Sequence, residues 1–405
     1  MGNLFEGLKV LDITNNLAGP GAAALLADYG AEVIKIEKPV YGDDVRAFPV
    51  FVDGYSLANG FVNRGKKSVV LNLKDPVSVE IVKKMVTDVD ILVESNRPGV
   101  MKRLGLDYDT LKEINPRLIY CSISAFGQTG PYAQRPGYDV IAQGFSGIMD
   151  MTGEPDGGPT KIGPNMADTI ASMNAFGSIS AALYYRERTG MGQQIDISLA
   201  RGMFWICAAL QGAVVDQLKT RTGNHDMHLC PYGLFNGSNG QSIIIAAANV
   251  NTWKNLCEVM GREDLSTDPE YMTNNKRAEK REVIVELIES WLKTFDDIKV
   301  PEKMMMEAGV PCIKVYTLKD LLEDPHANAC GWIGKFPVQD GITSISYFPD
   351  RNGMADFSAV KSTVAKAPAL GQHNHEILTQ YGLTDEEIDA YEKKWVAEVK
   401  GHGWL

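Results

Sequence analysis

The most constraining feature of this chain is an alternation of short apolar runs with longer amphipathic stretches over its first 125 residues. The runs are Leu8–Ile13, Val33–Glu37, Ser68–Leu73, Ile91–Glu94 and Leu118–Ser124. They are rich in Val, Ile and Leu, the pattern of strands buried on both faces. Between them, Ala22–Tyr29 (stopped by Gly30), Val77–Val86 and Tyr108–Ile114 carry apolar residues at helical spacing. Strands that alternate with helices imply an open parallel sheet covered by helices, hence an α/β fold.

Beyond residue 125 the pattern changes. Phe126–Tyr132 and Gly153–Pro159 are turn-rich and read as exposed loops. A long helix of small and apolar residues is expected over Ala167–Tyr185, then a strand over Gln194–Leu199. Gly202–Val215 is apolar and suits burial against another subunit. Leu229–Phe235 and Ser242–Ala248 flank Asn236-Gly237-Ser238-Asn239-Gly240, a strong hairpin signal. Helices follow at Asn251–Met260 and Ala278–Thr294, and Thr384 with Glu387 forms a capping box for a last helix. The expected organisation is a large domain over residues 1–200, a linker over 201–224, a small α+β domain over 225–325, and a returning segment over 326–405 that packs on the large domain.

Composition narrows the function. A net charge of −11 argues against nucleic acid as a partner, because a phosphate backbone rewards a basic surface. No window approaches the ~20 apolar residues of a membrane helix, and the N-terminus lacks the basic-then-apolar order of a signal peptide. A cytoplasmic protein is expected. The six cysteines are scattered without a CxxC pair, so they read as small buried apolar residues.

Three motifs invite chemistry and are better read structurally. Gly19-Pro20-Gly21-Ala22-Ala23-Ala24 matches GxGxxA, with Glu37 closing the next strand. Thr14–Ala18 intervenes before the first glycine, however, so a dinucleotide pyrophosphate would not meet the helix in the usual way. His225-x-x-His228-x-Cys230 resembles a metal half-site but lacks a fourth ligand; no metal is expected. No GxSxG elbow supports a Ser-His-Asp hydrolase. Carboxylates remain.

At this point the chain resembles one family along nearly its whole length. The matching stretches are Ala18-Gly19-Pro20, Gly30–Glu37, Asn72-Leu73-Lys74, Asn96-Arg97-Pro98-Gly99 leading to Arg103-Leu104-Gly105, and Gly127–Tyr132. They continue with Gly137-Tyr138-Asp139, Gln143–Gly147, Ala167-Asp168, Gly190–Gln193, Gly309–Cys312 and Pro368–Gly371. Their order is similar to that of the class III CoA transferases, the CaiB/BaiF family that includes formyl-CoA and carnitine CoA transferases. The resemblance implies a Rossmann-like large domain, a small domain, and two chains interlocked as a homodimer. It implies transfer of CoA from an acyl-CoA donor to a carboxylic acid acceptor, with the CoA thioester as substrate and no tightly bound cofactor.

The same resemblance gives roles to residues. Asp168 falls on the nucleophilic aspartate. Read from the sequence alone, an Asp just before an apolar helix is a helix cap, and a helix N-terminus would keep it ionised. Lys38 would lie against the adenine, and Arg97 and Arg103 would serve the phosphates, for which arginine is suited. Asn16, Leu73 and Asn96 would line the same groove, and Tyr138 and Asp139 would stand close to Asp168. Two departures bear on the substrate. Leu17 replaces a glutamine of the formyl-CoA transferases and Ala246-Ala247-Ala248-Asn249 replaces a glycine loop, which argues for an acid other than oxalate or formate. Tyr138 stands where 2-methylacyl-CoA racemases of the family carry a histidine, and a phenol titrating near about 10 is a poor α-proton base. The racemase is therefore the alternative and the transferase the main expectation.

Overall fold

The computed structural model describes residues 3–207, 212, 214–215, 221–336, 345–348, 355, 357–360 and 365–401. Much of the expected 201–224 linker and of the apolar stretch ending at Val215, and parts of the returning segment, therefore lie outside the described residues. The chain divides into two compact units. One comprises Met1–Ile148, Ile162–Ala208 and Pro325–Leu405; the other comprises Met149–Lys161 and Ala209–Asp324.

The first unit is built on six parallel strands: β1 (Lys9–Ile13), β2 (Glu32–Glu37), β3 (Lys66–Val70), β4 (Ile91–Glu94), β5 (Ile119–Ser124) and β6 (Gln193–Ser198). Their spatial order is β3-β2-β1-β4-β5-β6, the doubly wound order of nucleotide-binding sheets. Alternate residues of a strand point to opposite faces, and this sheet buries both. Val10, Val33, Ile91 and Ile119 belong to one apolar core, and Leu11, Ile34, Leu92 and Leu118 to the other.

The first core is closed by α1 (Ala18–Asp28) and the long α5 (Met166–Thr189). α5 buries Ala167, Ala171, Ala175, Ile179 and Ala182, one stripe at helical spacing. Small side chains let it approach α1 closely, and the glycines belong to that packing. A Cβ at Gly21 would lie 2.7 Å from Ser172 Oγ, and one at Gly19 2.5 Å from the Thr14 side chain. The GxGxxA match thus serves the junction of the strand-to-helix turn with α1 and α5. The second core is closed by α2 (Pro76–Val86) and α3 (Tyr108–Ile114), with Ile377, Leu378 and Ile388 of the returning segment. There, Asn374 Oδ1 accepts from the Val70 amide at 2.8 Å. Thr384 and Glu387 form the expected capping box, with bonds of 2.8 and 3.2 Å.

The second unit carries an antiparallel sheet of β7 (Tyr232–Asn236), β8 (Ser242–Ala246) and β9 (Cys312–Lys314) in the order β9-β8-β7. β7 and β8 form the hairpin read from Asn236–Gly240, and the helices Val250–Val259 and Arg281–Leu292 cover one face through Trp253, Leu256, Ile284 and Ile288.

Several boundaries differ from expectation. α1 begins at Ala18 rather than Ala22, because Pro20 enters the first turn, where its missing N–H costs nothing. α5 runs on to Thr189, closed by Gly190 with φ of 76°. The expected helix Ala278–Thr294 is two, Asn274–Glu279 and Arg281–Leu292. Between the two expected loops, α4 (Asp139–Phe145) and a turn of helix at Ile148–Met151 form, elements the sequence reading did not include. Among the described residues, no helix is long and apolar enough to cross a membrane.

Candidate active site

In doubly wound sheets, ligands bind at the carboxyl ends of the strands, where the strand order reverses. Here that reversal falls between β1 and β4. Asn16 follows β1, Lys38 follows β2, Leu73 follows β3, and Asn96 and Arg97 follow β4. Five of the residues singled out for CoA are thus placed beyond the carboxyl ends of strands of one sheet.

Each is held differently. Asn16 has φ of 71° and donates its backbone N–H to Asp43 Oδ1 at 2.9 Å. Asn96 donates its backbone N–H to Glu94 Oε2 at 2.7 Å, and burial pushes the Glu94 carboxyl up. Asn15, beside Asn16, donates its N–H to Ser95 Oγ at 2.9 Å, joining the two sides of the reversal point. Lys38 is half-exposed and ion-paired with Asp44. Leu73 is partly buried against the apolar core of that face. Arg97 and Arg103 are exposed, and neither forms an ion pair with a described residue. An exposed guanidinium is suited to meet an anion.

The carboxylate site lies at the start of α5. Asp168 is the third residue of that helix, so the expectation that it caps the helix is corrected. Asn165 occupies the cap position without a side-chain bond, and the capping acceptor comes from α4. Asp139 Oδ1 accepts the N–H of Ala167 at 2.6 Å and of Asp168 at 3.2 Å. Its Oδ2 accepts from Gln143 Nε2 at 2.6 Å, and Gln143 Oε1 accepts the N–H of Ile162 at 3.0 Å. Asp139 and Gln143 are both buried. Tyr138, the residue before α4, is 68% exposed.

The expected ionisation is corrected as well. Burial, and then the like charge of Asp139, push the Asp168 carboxyl up to about 7, because desolvation disfavours the charged form. Asp139 takes the helix N-terminal N–H groups that would otherwise hold Asp168 down. The result is a half-buried carboxyl that titrates near neutrality, where basicity and ionised fraction are best balanced for chemistry. One further link ties the two halves together. Ser172 Oγ donates to Ala18 O at 2.7 Å and lies 3.0 Å from Asp168 O, joining the turn after β1 to the first turn of α5.

The metal half-site does not assemble. His225 packs edge-on against Phe235 at 5.2 Å and Cys230 is buried. Among the described residues, the one group of three or more ligand-type side chains within 4.8 Å of one another is the surface set His375, Asp389 and Glu392.

The comparisons with known proteins decide the family. The model of CoA-transferase family III matches residues 5–374. The chain belongs to this family. An acetyl-CoA:oxalate CoA-transferase of Acetobacter aceti is 43% identical over 75% of this chain and 81% of its own length. A succinyl-CoA–D-citramalate CoA-transferase of Chloroflexus aurantiacus is 34% identical over 96% of this chain and 97% of its own. The crystal structure of a CaiB/BaiF family protein from Brucella suis superposes with a TM-score of 0.82 at 34% identity, covering 94% of this chain and all of that one. This class III CoA-transferase has the α/β fold with a six-stranded parallel sheet of its family.

Residues that sequence reading passed over complete the site. Asp43, Gln143 and Ser172 act through bonds to backbone atoms far away in sequence, and no local pattern marks such partners. Gln143 alone carried a signal, since it falls within a stretch that matches the family.

Proposed function

We propose that this chain is an acyl-CoA:carboxylate CoA-transferase in which Asp168 is the covalent nucleophile. The single observation that carries the reading is Asp168 itself, half-buried on the first turn of α5, raised to about 7, and joined through Ser172 to the turn after β1. The ionised carboxylate attacks the acyl carbonyl of the thioester. The C–S bond breaks, CoA thiolate leaves, and a mixed anhydride forms on Asp168. The thiolate then attacks the aspartyl carbonyl, releasing the first acid and leaving an aspartyl-CoA thioester. An incoming carboxylate reverses the two steps and departs as the new thioester. No water enters this sequence, and the covalent route keeps the thioester energy that hydrolysis would lose.

Along the sheet edge, Asn16, Lys38, Leu73, Asn96, Arg97 and Arg103 hold the nucleotide end of CoA, with the two arginines on phosphates. Asp139 orients the first turn of α5, and Tyr138 flanks it. The acceptor is a small dicarboxylate. Relatives named for oxalate, citramalate, glutarate and mesaconate support that class. Because an oxalate enzyme is among the most similar relatives, Leu17 does not by itself exclude oxalate.

The chain works as an interlocked homodimer in the cytoplasm, with a large domain drawn mostly from residues 1–200, a small domain centred on 225–325 and a returning segment after 326. Support for a partner comes from Phe204, Trp205 and Ile206, which are 48%, 86% and 46% exposed on one helix, since such apolar side chains mark interfaces. The test is turnover of Asp168→Ala with acetyl- or succinyl-CoA and a dicarboxylic acid. Loss of transfer in a folded variant supports the reading, and retained turnover removes it.

A further inference from the structure

The turn between β2 and the next segment of chain ties together two edges of the proposed CoA groove. Asn16 sits in the left-handed region, which few side chains other than glycine and asparagine tolerate. The group that fixes it there is Asp43, 2% exposed and 27 residues away in sequence. Its Oδ1 accepts the N–H of Asn16 at 2.9 Å and of Val45 at 3.1 Å. Its Oδ2 meets Lys35 Nζ at 2.9 Å and accepts from Asn63 Nδ2 at 3.3 Å.

Lys35 is fully buried and continues the tie. It donates to Thr14 O at 2.9 Å, two residues before Asn16, and lies 3.5 Å from Asp12. Asp12 in turn pairs with buried Lys66 at 2.7 Å. Burial would push Asp12 up, but the two ammonium groups outweigh it and hold its carboxyl down at about 2. On the exposed side, Asp44 pairs with Lys38 and exchanges two bonds with Asn15. Asn15 Nδ2 donates to Asp44 Oδ2 at 2.5 Å, and the Asp44 N–H donates to Asn15 Oδ1 at 2.8 Å.

We propose that Asp43 is a positioning residue for coenzyme A. It locks the turn after β1 into the conformation that presents Asn16 beside Lys38. The proposal rests on the CoA-transferase reading of this edge. A carboxylate is the group required, because it accepts on both oxygens from amides on one side and from cations and amides on the other. An amide at this position turns a donor toward one of those sides. When the turn is not pre-formed, ordering it is charged to ligand binding, so affinity for the nucleotide suffers before chemistry does.

The test separates these effects. In Asp43→Asn, KM for the acyl-CoA donor should rise about tenfold, the size of one lost charge-assisted hydrogen bond. KM for the acceptor acid and kcat should stay within about twofold. An unchanged donor KM overturns the proposal. So does a fall in kcat alone with both KM values intact, the signature of a smaller folded fraction.

If Asp43→Asn does not fold, Asn16→Gly and Asn16→Ala take its place. Both remove the side chain, but only glycine accepts a positive φ without strain. Donor KM should be several-fold higher for alanine, and equal values overturn the proposal. Calorimetry with free CoA distinguishes the two levels of the argument. A wild-type protein that binds CoA without transferring it, and binds it more weakly in Asp43→Asn, keeps this inference and removes the transferase reading. A wild-type protein that does not bind CoA overturns both.

Discussion

Replacing Asp139 tests how the proposed nucleophile, Asp168, is set. Its carboxylate takes three donors, the N–H groups of Ala167 and Asp168 and the amide of Gln143. Ala167 and Gln143 are fully buried, so water does not replace the lost acceptor. Leaving these two buried donors unpaired costs about 1–3 kcal/mol each, so Asp139→Ala should lose about 2–6 kcal/mol. For a domain of this size that is on the order of 10 °C in Tm, read by thermal denaturation.

Asp139→Asn is gentler and tests the charge. It keeps an oxygen for the Ala167 N–H but sets its new amide against that of Gln143. It also removes the like charge that, after burial, raises Asp168. The assay is the pH dependence of kcat/KM. In the proposed mechanism the ionised form attacks, so the wild-type rate should rise with pH through about 7. In Asp139→Asn that acid limb should move to lower pH. It should not reach the ordinary aspartate value of about 3.9, because burial remains. An unmoved limb, or one that moves to higher pH, refutes the reasoning that Asp139 acts on Asp168 through its charge.

Other expectations follow from single contacts. Arg103→Ala should raise the donor KM about tenfold, more at low salt, as for one phosphate contact; an effect on the acceptor KM instead would move Arg103 to the other substrate. Gly21→Ala would place a Cβ 2.7 Å from Ser172 Oγ and should cost about 1–3 kcal/mol by overpacking, read by denaturant unfolding. The racemase alternative predicts deuterium uptake at the α-carbon of a 2-methylacyl-CoA in heavy water; with Tyr138 in the histidine position, none is expected.

The legible part of this fold was the part with a local physical signature. Val10 and Leu11 point to opposite apolar cores, so both had to be apolar, and the strand showed as a continuous run. The order of the strands did not show, because it depends on which crossovers pass which face of the sheet. β9 is three residues long, too short for any alternation to register. α4 was missed because it is only seven residues long with Gly144 near its end, and because the Asp139 carboxylate that starts it serves the first turn of α5 as well as Gln143 of its own.

The site divides in the same way. Asp168 was singled out through the family resemblance, and its helix was expected. Its protonation was misjudged because the groups that raise it come from tertiary structure. An Asp near a helix start reads locally as a stabilised anion, and only the fold brings Asp139 to the same N–H groups. Buried Asp43 and Lys35 likewise look like surface charges in the sequence, and only the pairing of Lys35 on β2 with Asp43 beyond that strand and Asp12 on β1 shows otherwise.

The central claim is the covalent bond to Asp168, and intact-protein mass spectrometry addresses it most directly. The protein is mixed briefly with acetyl-CoA or succinyl-CoA, quenched in acid and weighed beside Asp168→Asn. A mass gain of one CoA or one acyl group in the wild type, absent from the variant, is the expected result. A wild-type protein that transfers CoA with no adduct at any time, or an equal adduct in Asp168→Asn, would contradict the account.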